Sequence, residues 1–495
     1  MDSGAGLPVA VARNATCPCG SGKRFKHCCG AEGAAPAQTR LAALAAHRAG
    51  QLGRAETLYR HALDQSPKDV DALHMLGVVQ LERLRYREAL GLLWDAAEAT
   101  AWAVAAIRHN LGLVLAKLLA REANLRQAEL LGRLDALERA RGARKSDVSP
   151  LVTVVLPAYN HARFVREAIA SVVAQTYPHI ELVVIDDGSV DGTADAVRAA
   201  LQGIAIPARF ITRENRGAAA TLNEGAMLAR GAYVSFLNSD DWYAPDRIAC
   251  MVDDIARSGA RWGFSLVSSV TSEAGGARDA VGGECSIQRK QRSHLGTQPA
   301  SFTLIEYNVA ISSGNLFVER EFFASVGGFH DYRYNHDWEF CLRAGALEEP
   351  VVVGRQLYFY RVHGQNTISE SPARALDEAN RLLADFLAGA LAGRPEGGNE
   401  LAPQAAGNRD LLLRVAFRTG LGALVPIDAL RAIAAEWRAK APPGAPSGDV
   451  ARSAAATGRT AVVVLGMHRS GTSALSRVLN LCGAFLPASL RPPKL

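Results

Sequence analysis

The sequence of 495 residues has no apolar run approaching the length of a bilayer span, so it reads as a chain without membrane-crossing helices. Its opening stretch, MDSGAGLPVAVARNATC, has no basic residue ahead of the short apolar patch and makes a poor signal peptide. The expected compartment is the cytoplasm, with contact at the face of the inner membrane left open. Excess charge is scarce: 55 Lys and Arg against 49 Asp and Glu leave +6, too little for a nucleic-acid footprint. Cysteine is scarce outside one cluster. Of eight, Cys250, Cys285, Cys341 and Cys482 are scattered like small buried hydrophobes, which excludes a secreted disulfide framework. No G-x-G-x-x-G follows the first predicted strand of the central region, which excludes a dinucleotide Rossmann site. Nor does that turn, PAYNH, offer the glycine-rich basic loop that a pyrophosphorylase would need to hold a triphosphate.

What is present is organised around residues 151–241. Short β-branched runs there stop at small or acidic residues: LVTVVLPAYN, IELVVIDDGSVDGT and GAYVSFLNSDDW. Such a run followed by a helical pattern predicts a parallel strand and a crossover helix, and open α/β sheets bind ligands at the carboxyl ends of their strands. The spacing predicts strands over 151–156, 180–185, ARFIT and 232–237. Two of the turns carry carboxylate pairs, Asp186-Asp187 and Asp240-Asp241. Acidic pairs repel a diphosphate but can hold one through a divalent cation that bridges carboxylate and phosphate oxygens. The chemistry implied is metal-assisted departure of a nucleoside diphosphate.

Length and composition allow two to four folded domains, and the flanks divide accordingly. Residues 17–29, CPCGSGKRFKHCC, place paired thiols about a Gly-Ser-Gly turn, which suits a tetrahedral soft-metal site. The stretch 15–31 resembles the SEC-C motif, and the resemblance implies Zn2+ on Cys17, Cys19, Cys28 and Cys29, with His27 as a competing ligand. Residues 36–140 have helical periodicity and repeat at 34, with Ala55, Tyr59, Ala62 and Pro67 in one copy and Gly77, Ala89, Leu93 and Ala96 in the next. This resembles tetratricopeptide repeats, which implies a concave surface for a protein partner. Residues 371–440 are helical again and are expected to pack on the central domain, and 441–458 read as a linker. From 459 the stretch TAVVVLGMHRSGTSALSRVLNL has P-loop spacing, with Thr472 in place of the lysine and Arg469 as a substitute charge. It resembles the opening of a sulfotransferase domain, truncated or a remnant, from which no sulfotransferase activity is expected. Its presence points toward a sulfated surface polysaccharide.

The central 150–370 resembles a family 2 glycosyltransferase domain. P-A-Y-N, D-D-G-S, N-S-D-D, S-G-N-L-F, V-G-G-F, H-D-W-E and Y-R-V-H-G-Q-N-T-I-S occur in the family's order. The resemblance implies a GT-A fold: an α/β domain with a nucleotide-sugar-binding mixed sheet flanked by helices, here preceded by an all-α array. It implies that Pro157, Tyr159, Asn160 and Asp187 contact the nucleoside of the donor, with Asp186 facing the ribose or capping the next helix. Asn238, Asp240 and Asp241 then form the DxD-type site, with asparagine in place of its first aspartate. It further implies that Asp240 and His363 hold Mn2+ or Mg2+, and that Asp337 is the catalytic base, with Glu339 as runner-up. Trp242, Tyr243 and Trp338 are candidates for sugar stacking or for wall packing. A cap at the start of a helix is the competing role for both Asp240-Asp241 and Asp337. Residues 271–300 are expected to form a mobile acceptor-side loop, in which Arg289, Lys290 and Arg292 meet an anionic acceptor or water. The function expected is inverting, metal-dependent transfer of a sugar from a nucleoside diphosphate, UDP foremost, to a hydroxyl of a glycan or protein. The rivals are a repeat-based adaptor with a degenerate transferase domain and a fragment of a bifunctional glycosyl/sulfotransferase.

Overall fold

Alanine and leucine at helical spacing produce six successive helices: α1 (Pro36–Arg48), α2 (Leu52–Gln65), α3 (Val70–Glu82), α4 (Tyr86–Ala99), α5 (Ala105–Leu118) and α6 (Ala120–Arg141). The computed structural model describes residues 36–141, 149–271, 286–364, 366–393 and 398–440, with Asn14 and Arg24. The cysteine cluster with His27 and the P-loop-like segment lie outside the described residues. Helices α1 and α3 begin at 36 and 70, and α2 and α4 at 52 and 86, so the 34-residue spacing of the sequence is also the spacing of the helices. Ala55, Ala62, Ala89 and Ala96 are fully buried. A Cβ on Gly77 would lie 2.7 Å from Leu93 Cγ, so only glycine lets α3 and α4 come this close. These helices through Leu118, with residues 431–440, form one compact unit, and the described residues of 119–430 form a second. Helix α6, inside the stretch 36–140, is grouped with the second unit. There its Arg126 Nε donates to Asn408 Oδ1 at 2.7 Å, and its Gln127 Nε2 to the Thr297 carbonyl at 2.6 Å.

In the second unit strands and helices alternate: β1 (Val152–Ala158), α7 (Val165–Val173), β2 (Ile180–Asp186), α8 (Thr193–Ala200), β3 (Ala208–Thr212), α9 (Ala218–Leu228) and β4 (Tyr233–Phe236). The short β5 (Trp242–Tyr243), α10 (Arg247–Ser258) and β6 (Trp262–Thr271) follow, and then α11 (Ser286–His294) and α12 (Ala300–Glu306). Next come β7 (Leu316–Glu319), α13 (Arg320–Val326), α14 (His336–Leu347) and the long β8 (Val351–Val362). Helices α15 (Thr367–Glu370), α16 (Pro372–Leu391), α17 (Arg409–Arg418) and α18 (Ile427–Ala439) end the described chain. The sheet order is β3-β2-β1-β4-β7-β6-β8-β5. The first four strands are parallel, β7 runs antiparallel to both β4 and β6, and β8 is parallel to β6.

Strand β1 shows why the sheet is buried on both faces. Val154 and Leu156 pack into one apolar cluster with α7 and α10, while Val155 packs into another with α9. Burial of each such side chain is worth roughly 1.5–3 kcal/mol. Gly225 of α9 sits so close to β1 that a Cβ would come within 2.2 Å of Val155 Cγ1. Register then sets the chemistry, because Ala158 pairs with Asp186 and Asp186 with Thr212, so three polar turns leave the sheet at one edge. The expectation of a structureless 271–300 fails from Ser286 onward, where α11 forms. Its buried Gln291 takes the Val267 N–H at 2.9 Å and donates to the Val309 carbonyl at 2.8 Å, which anchors the helix on β6. Among the described residues no helix is long and apolar enough to cross a membrane.

Candidate active site

The turn after β1 is stitched to the turn after β2. Asn160 takes a left-handed conformation, φ 53°, which asparagine tolerates better than most residues. Its N–H donates to Ser189 Oγ and its Oδ1 accepts from the Val190 N–H, both at 2.9 Å. The His161 N–H donates to Thr193 Oγ1 at 2.8 Å. Asn160 thus braces the turn. Pro157 is the penultimate residue of the strand, which ends at Ala158, and Tyr159 stands half-exposed after it.

The two carboxylates after β2 have different tasks. Asp187, expected to meet the nucleoside, is filled by the protein. It accepts the N–H groups of Arg216 and Gly217 at 2.9 Å each and a further bond from the Arg213 guanidinium. It therefore fastens the loop ahead of α9. Asp186 lines an open cleft of about 480 Å³ with Ser189, Thr212, Arg213 and Asn215. Its Oδ1 is buried without a partner among the described residues, which is costly unless a ligand supplies the donor. It caps no helix, since α8 begins at Thr193 and Asp191 accepts that residue's N–H. Gly188, at φ +79°, has no room for a Cβ, which would lie 2.8 Å from the Asn215 nitrogen.

The acidic turn after β4 is likewise no helix cap, because β5 follows it and α10 starts only at Arg247. Asp241 is buried beneath the site, where it accepts the Arg361 N–H at 2.7 Å and a bond from the Tyr358 hydroxyl. Burial first, and then the neighbouring Asp240, push its carboxyl well above the usual range. Asn238 donates to Asp241 Oδ2 at 3.3 Å and to Ser312 Oγ at 2.9 Å, so both residues form the floor. Asp240 is the member that faces other ligating groups. His363 Nε2 lies 3.0 Å from its Oδ2 and His161 Nδ1 3.9 Å from its Oδ1. One ligand atom from each of His161, Asp240 and His363 lies within 4.8 Å of the others, a donor set able to hold a divalent cation. Asn366 and Arg361 support it from behind: Asn366 Oδ1 accepts the His363 N–H at 2.6 Å, and Arg361 Nε donates to the Asp240 carbonyl at 2.7 Å. Burial lowers the His161 pKa, which favours the neutral imidazole.

Asp337 occupies the first turn of α14, with Asn335 at the cap position. It is buried, its Oδ2 accepting from Asn308 Nδ2 at 3.1 Å and its Oδ1 from the Trp338 N–H at 2.8 Å. Burial pushes its carboxyl up. The Tyr360 phenol is also raised, by burial first and then by Asp241, Asp240 and Asp337, so that ring stands in the field of all three carboxylates. Glu339, the runner-up base, is taken by a two-point ion pair with Arg343 at 2.6 and 2.7 Å and by His330 at 2.9 Å. Trp242 stacks on Phe359 at 5.3 Å, and Tyr243 is buried with its hydroxyl near Ser235, so both are wall. Trp338 is half-buried and donates to the Leu304 carbonyl at 2.6 Å. Arg289 and Arg292 are exposed on α11. Sequence reasoning passed over His161, Tyr358, Arg361 and Asn366. His161 carried a signal as the residue that leaves the β1 turn at the ligand-binding edge, and Arg361 and Asn366 lie within Y-R-V-H-G-Q-N-T-I-S, while nothing local marked Tyr358.

A mixed sheet in this order, with acidic turns on the carboxyl edge of its parallel half, is the GT-A class of α/β fold. The description "Glycosyl transferase family 2" matches residues 153–274, and "SEC-C motif" matches 13–31. An uncharacterized glycosyltransferase of Rickettsia typhi is 39% identical over 252 residues, 49% of this chain and 74% of that one. Another, from Rickettsia prowazekii, is 41% identical over 245 residues, 48% and 72% respectively. The chain belongs to glycosyltransferase family 2. It spans only 17% and 14% of two further relatives, from Rickettsia felis and Rickettsia bellii. Among solved structures, Staphylococcus aureus TarS with UDP-GlcNAc is 18% identical, with a TM-score of 0.37 over 48% of this chain and 66% of that one. At that TM-score the likeness carries no functional weight.

Proposed function

We propose that the chain is an inverting, metal-dependent glycosyltransferase that moves a sugar from a nucleoside diphosphate, UDP foremost, to a hydroxyl of a glycan or protein. The observation that carries the reading is the meeting of Asp240 with His363 and His161 at the sheet edge. A divalent cation bound by this set supplies positive charge against the departing diphosphate, a contribution of several kcal/mol. The chain's own residues do the rest. The cleft beside Asp186, with its unpartnered oxygen, receives the nucleoside, while Asp187 and Arg213 build the wall. Asp337 takes the proton of the acceptor hydroxyl as that oxygen bonds to the anomeric carbon, and the bond from that carbon to the diphosphate oxygen breaks on the opposite face. Such base assistance is worth about 10²–10⁴ in rate. Asn308 Nδ2 donates to this carboxylate at 3.1 Å, which favours the ionised form against the burial that opposes it.

The SEC-C match supports Zn2+ on Cys17, Cys19, Cys28 and Cys29, and the 34-residue helical spacing supports a tetratricopeptide array that docks a protein partner. The decisive experiment is a panel of nucleotide sugars with Mn2+, scored for nucleoside diphosphate release. One donor should give turnover that Asp240→Ala removes, and absence of turnover with every donor would sink the reading.

A further inference from the structure

Three polar atoms beside Asp337 have no partner among the described residues. They are Asn308 Oδ1 and both ring nitrogens of His336, the residue immediately before Asp337. Each is closed to water, and a polar group so placed is costly unless a ligand completes it. Asn308 is the more telling of the two side chains. Its Nδ2 donates to Asp337 Oδ2 at 3.1 Å, which settles the orientation of the amide, because an ionised carboxylate only accepts. The amide oxygen is therefore the unpaired end, one amide width from the carboxylate. The loop beneath it is pinned. The Asn308 carbonyl accepts the Ile311 N–H at 3.1 Å, and the Val309 carbonyl accepts from Gln291 Nε2 at 2.8 Å. As a residue Asn308 is only partly buried, so a small turn of its side chain brings that oxygen to an incoming ligand.

We infer that the acceptor is a sugar offering two adjacent hydroxyls, one to Asp337 and the other to Asn308 Oδ1. The inference rests on the transferase reading above and deepens it by choosing a glycan over a protein hydroxyl. Two acceptor oxygens side by side on the protein ask for two donors on one ligand. Neighbouring hydroxyls of a pyranose stand about 2.8 Å apart, roughly one hydrogen-bond length, and the ring holds them there already ordered. The first hydroxyl gives its proton to Asp337 as its oxygen bonds to the anomeric carbon and the diphosphate leaves. The second keeps its proton and donates it to Asn308 Oδ1 as a hydrogen bond. The His336 imidazole, when neutral, is a donor at one nitrogen and an acceptor at the other, and further hydroxyls of the same ring can meet either. A serine or threonine side chain brings one hydroxyl only. Its backbone N–H is a second donor, but Oδ1 is closed in, and an N–H reaches it only with the flanking peptide planes attached.

The test uses the full chain with Mn2+ and whichever nucleotide sugar it turns over. The acceptors are methyl pyranosides of gluco, galacto and manno configuration, their monodeoxy analogues, and a peptide containing serine and threonine. At least one pyranoside should accept the sugar. Its analogue lacking the hydroxyl beside the accepting one should fall about 10–100-fold in kcat/KM, the size of one buried acceptor left unpaired. In Asn308→Leu transfer should be slower, and parent and analogue should agree within about twofold, because the group that told them apart is gone. Circular dichroism checks that the variant is folded, and the comparison on the unaltered chain decides even where it is not. An analogue as good as its parent would overturn the inference. So would a penalty that survives in folded Asn308→Leu, or transfer to the peptide with none to any pyranoside. Nucleoside diphosphate release to water that Asp240→Ala removes, with no pyranoside accepting, would leave the functional reading standing and remove this inference alone. No turnover of any donor would remove both.

Discussion

At the residue scale, Asp337 is a group whose environment works against its own fold. Burial raises its carboxyl while His336, the Trp338 N–H and Asn308 pull it back. A carboxyl whose folded pKa exceeds its unfolded one contributes stability at low pH and loses it as pH rises through the folded value. A base must nonetheless be ionised. Asp337→Asn should therefore abolish most transfer, by about 10²–10⁴-fold, keep donor binding measured by calorimetry, and melt at a higher temperature than the unaltered chain at neutral pH. A variant that is both inactive and less stable would contradict the account of Asp337 as a strained, ionised acid. Asn308→Ala removes a donor to the ionised form, so the acidic limb of the kcat–pH profile should move to higher pH. A limb that stays in place would mean that Asp337 is not the group titrating. The motifs that brought Asp240 and Asp337 into view were legible because each lies next to a strand or helix boundary. The filling of Asp187 was not legible, because its partners Arg213, Arg216 and Gly217 lie a full strand further on and nothing local to D-D-G-S announces them.

At the element scale, α16 does more than pack. The sequence shows an amphipathic helix there, and Ala379, Leu382, Leu383 and Leu387 are buried as its period predicts. What the period does not show is that Glu378 on it clamps the segment leading into α14. Glu378 accepts the N–H groups of Arg333 at 3.0 Å and of Tyr334 and Asn335 at 2.8 Å each, and Asn335 Nδ2 adds a bond at 3.0 Å. Burial pushes its carboxyl up, but these donors outweigh it and hold it below the usual range. The clamped segment ends at the cap of α14, two residues before Asp337. Glu378→Ala should therefore lower kcat for transfer by about 10²-fold, the order expected for a reacting group displaced by about 1 Å. Donor affinity should stay the same, and Glu378→Gln, which keeps one acceptor oxygen, should fall between the two. A loss confined to donor affinity would show that the helix serves the other half of the site.

At the scale of the whole molecule, the first compact unit ends at Leu118, inside the helical stretch 36–140. Helical period runs unbroken from 36 to 140, so composition offers no reason to stop at Leu118. The break lies in partners. Leu130 and Ala123 of α6 are fully buried within the second unit. Asn124 receives the Arg414 guanidinium of α17, and Arg126 reaches Asn408 at 2.7 Å. Helix α17 packs in turn on α12, which precedes the loop holding Asn308. If the second unit folds on its own, a chain starting at residue 119 and ending at 430 should keep the full sheet and its metal-dependent donor turnover. A chain starting at 150 would leave the α17 face bare. Stripping that helix removes at least two hydrogen bonds and an apolar face, so it should melt at least ~5 °C lower than the longer one, since about 1 kcal/mol moves Tm by 2–4 °C at this size. Equal melting temperatures would return α6 to the repeat array. Loss of folding in both would mean that the enzyme half depends on the first unit for its stability.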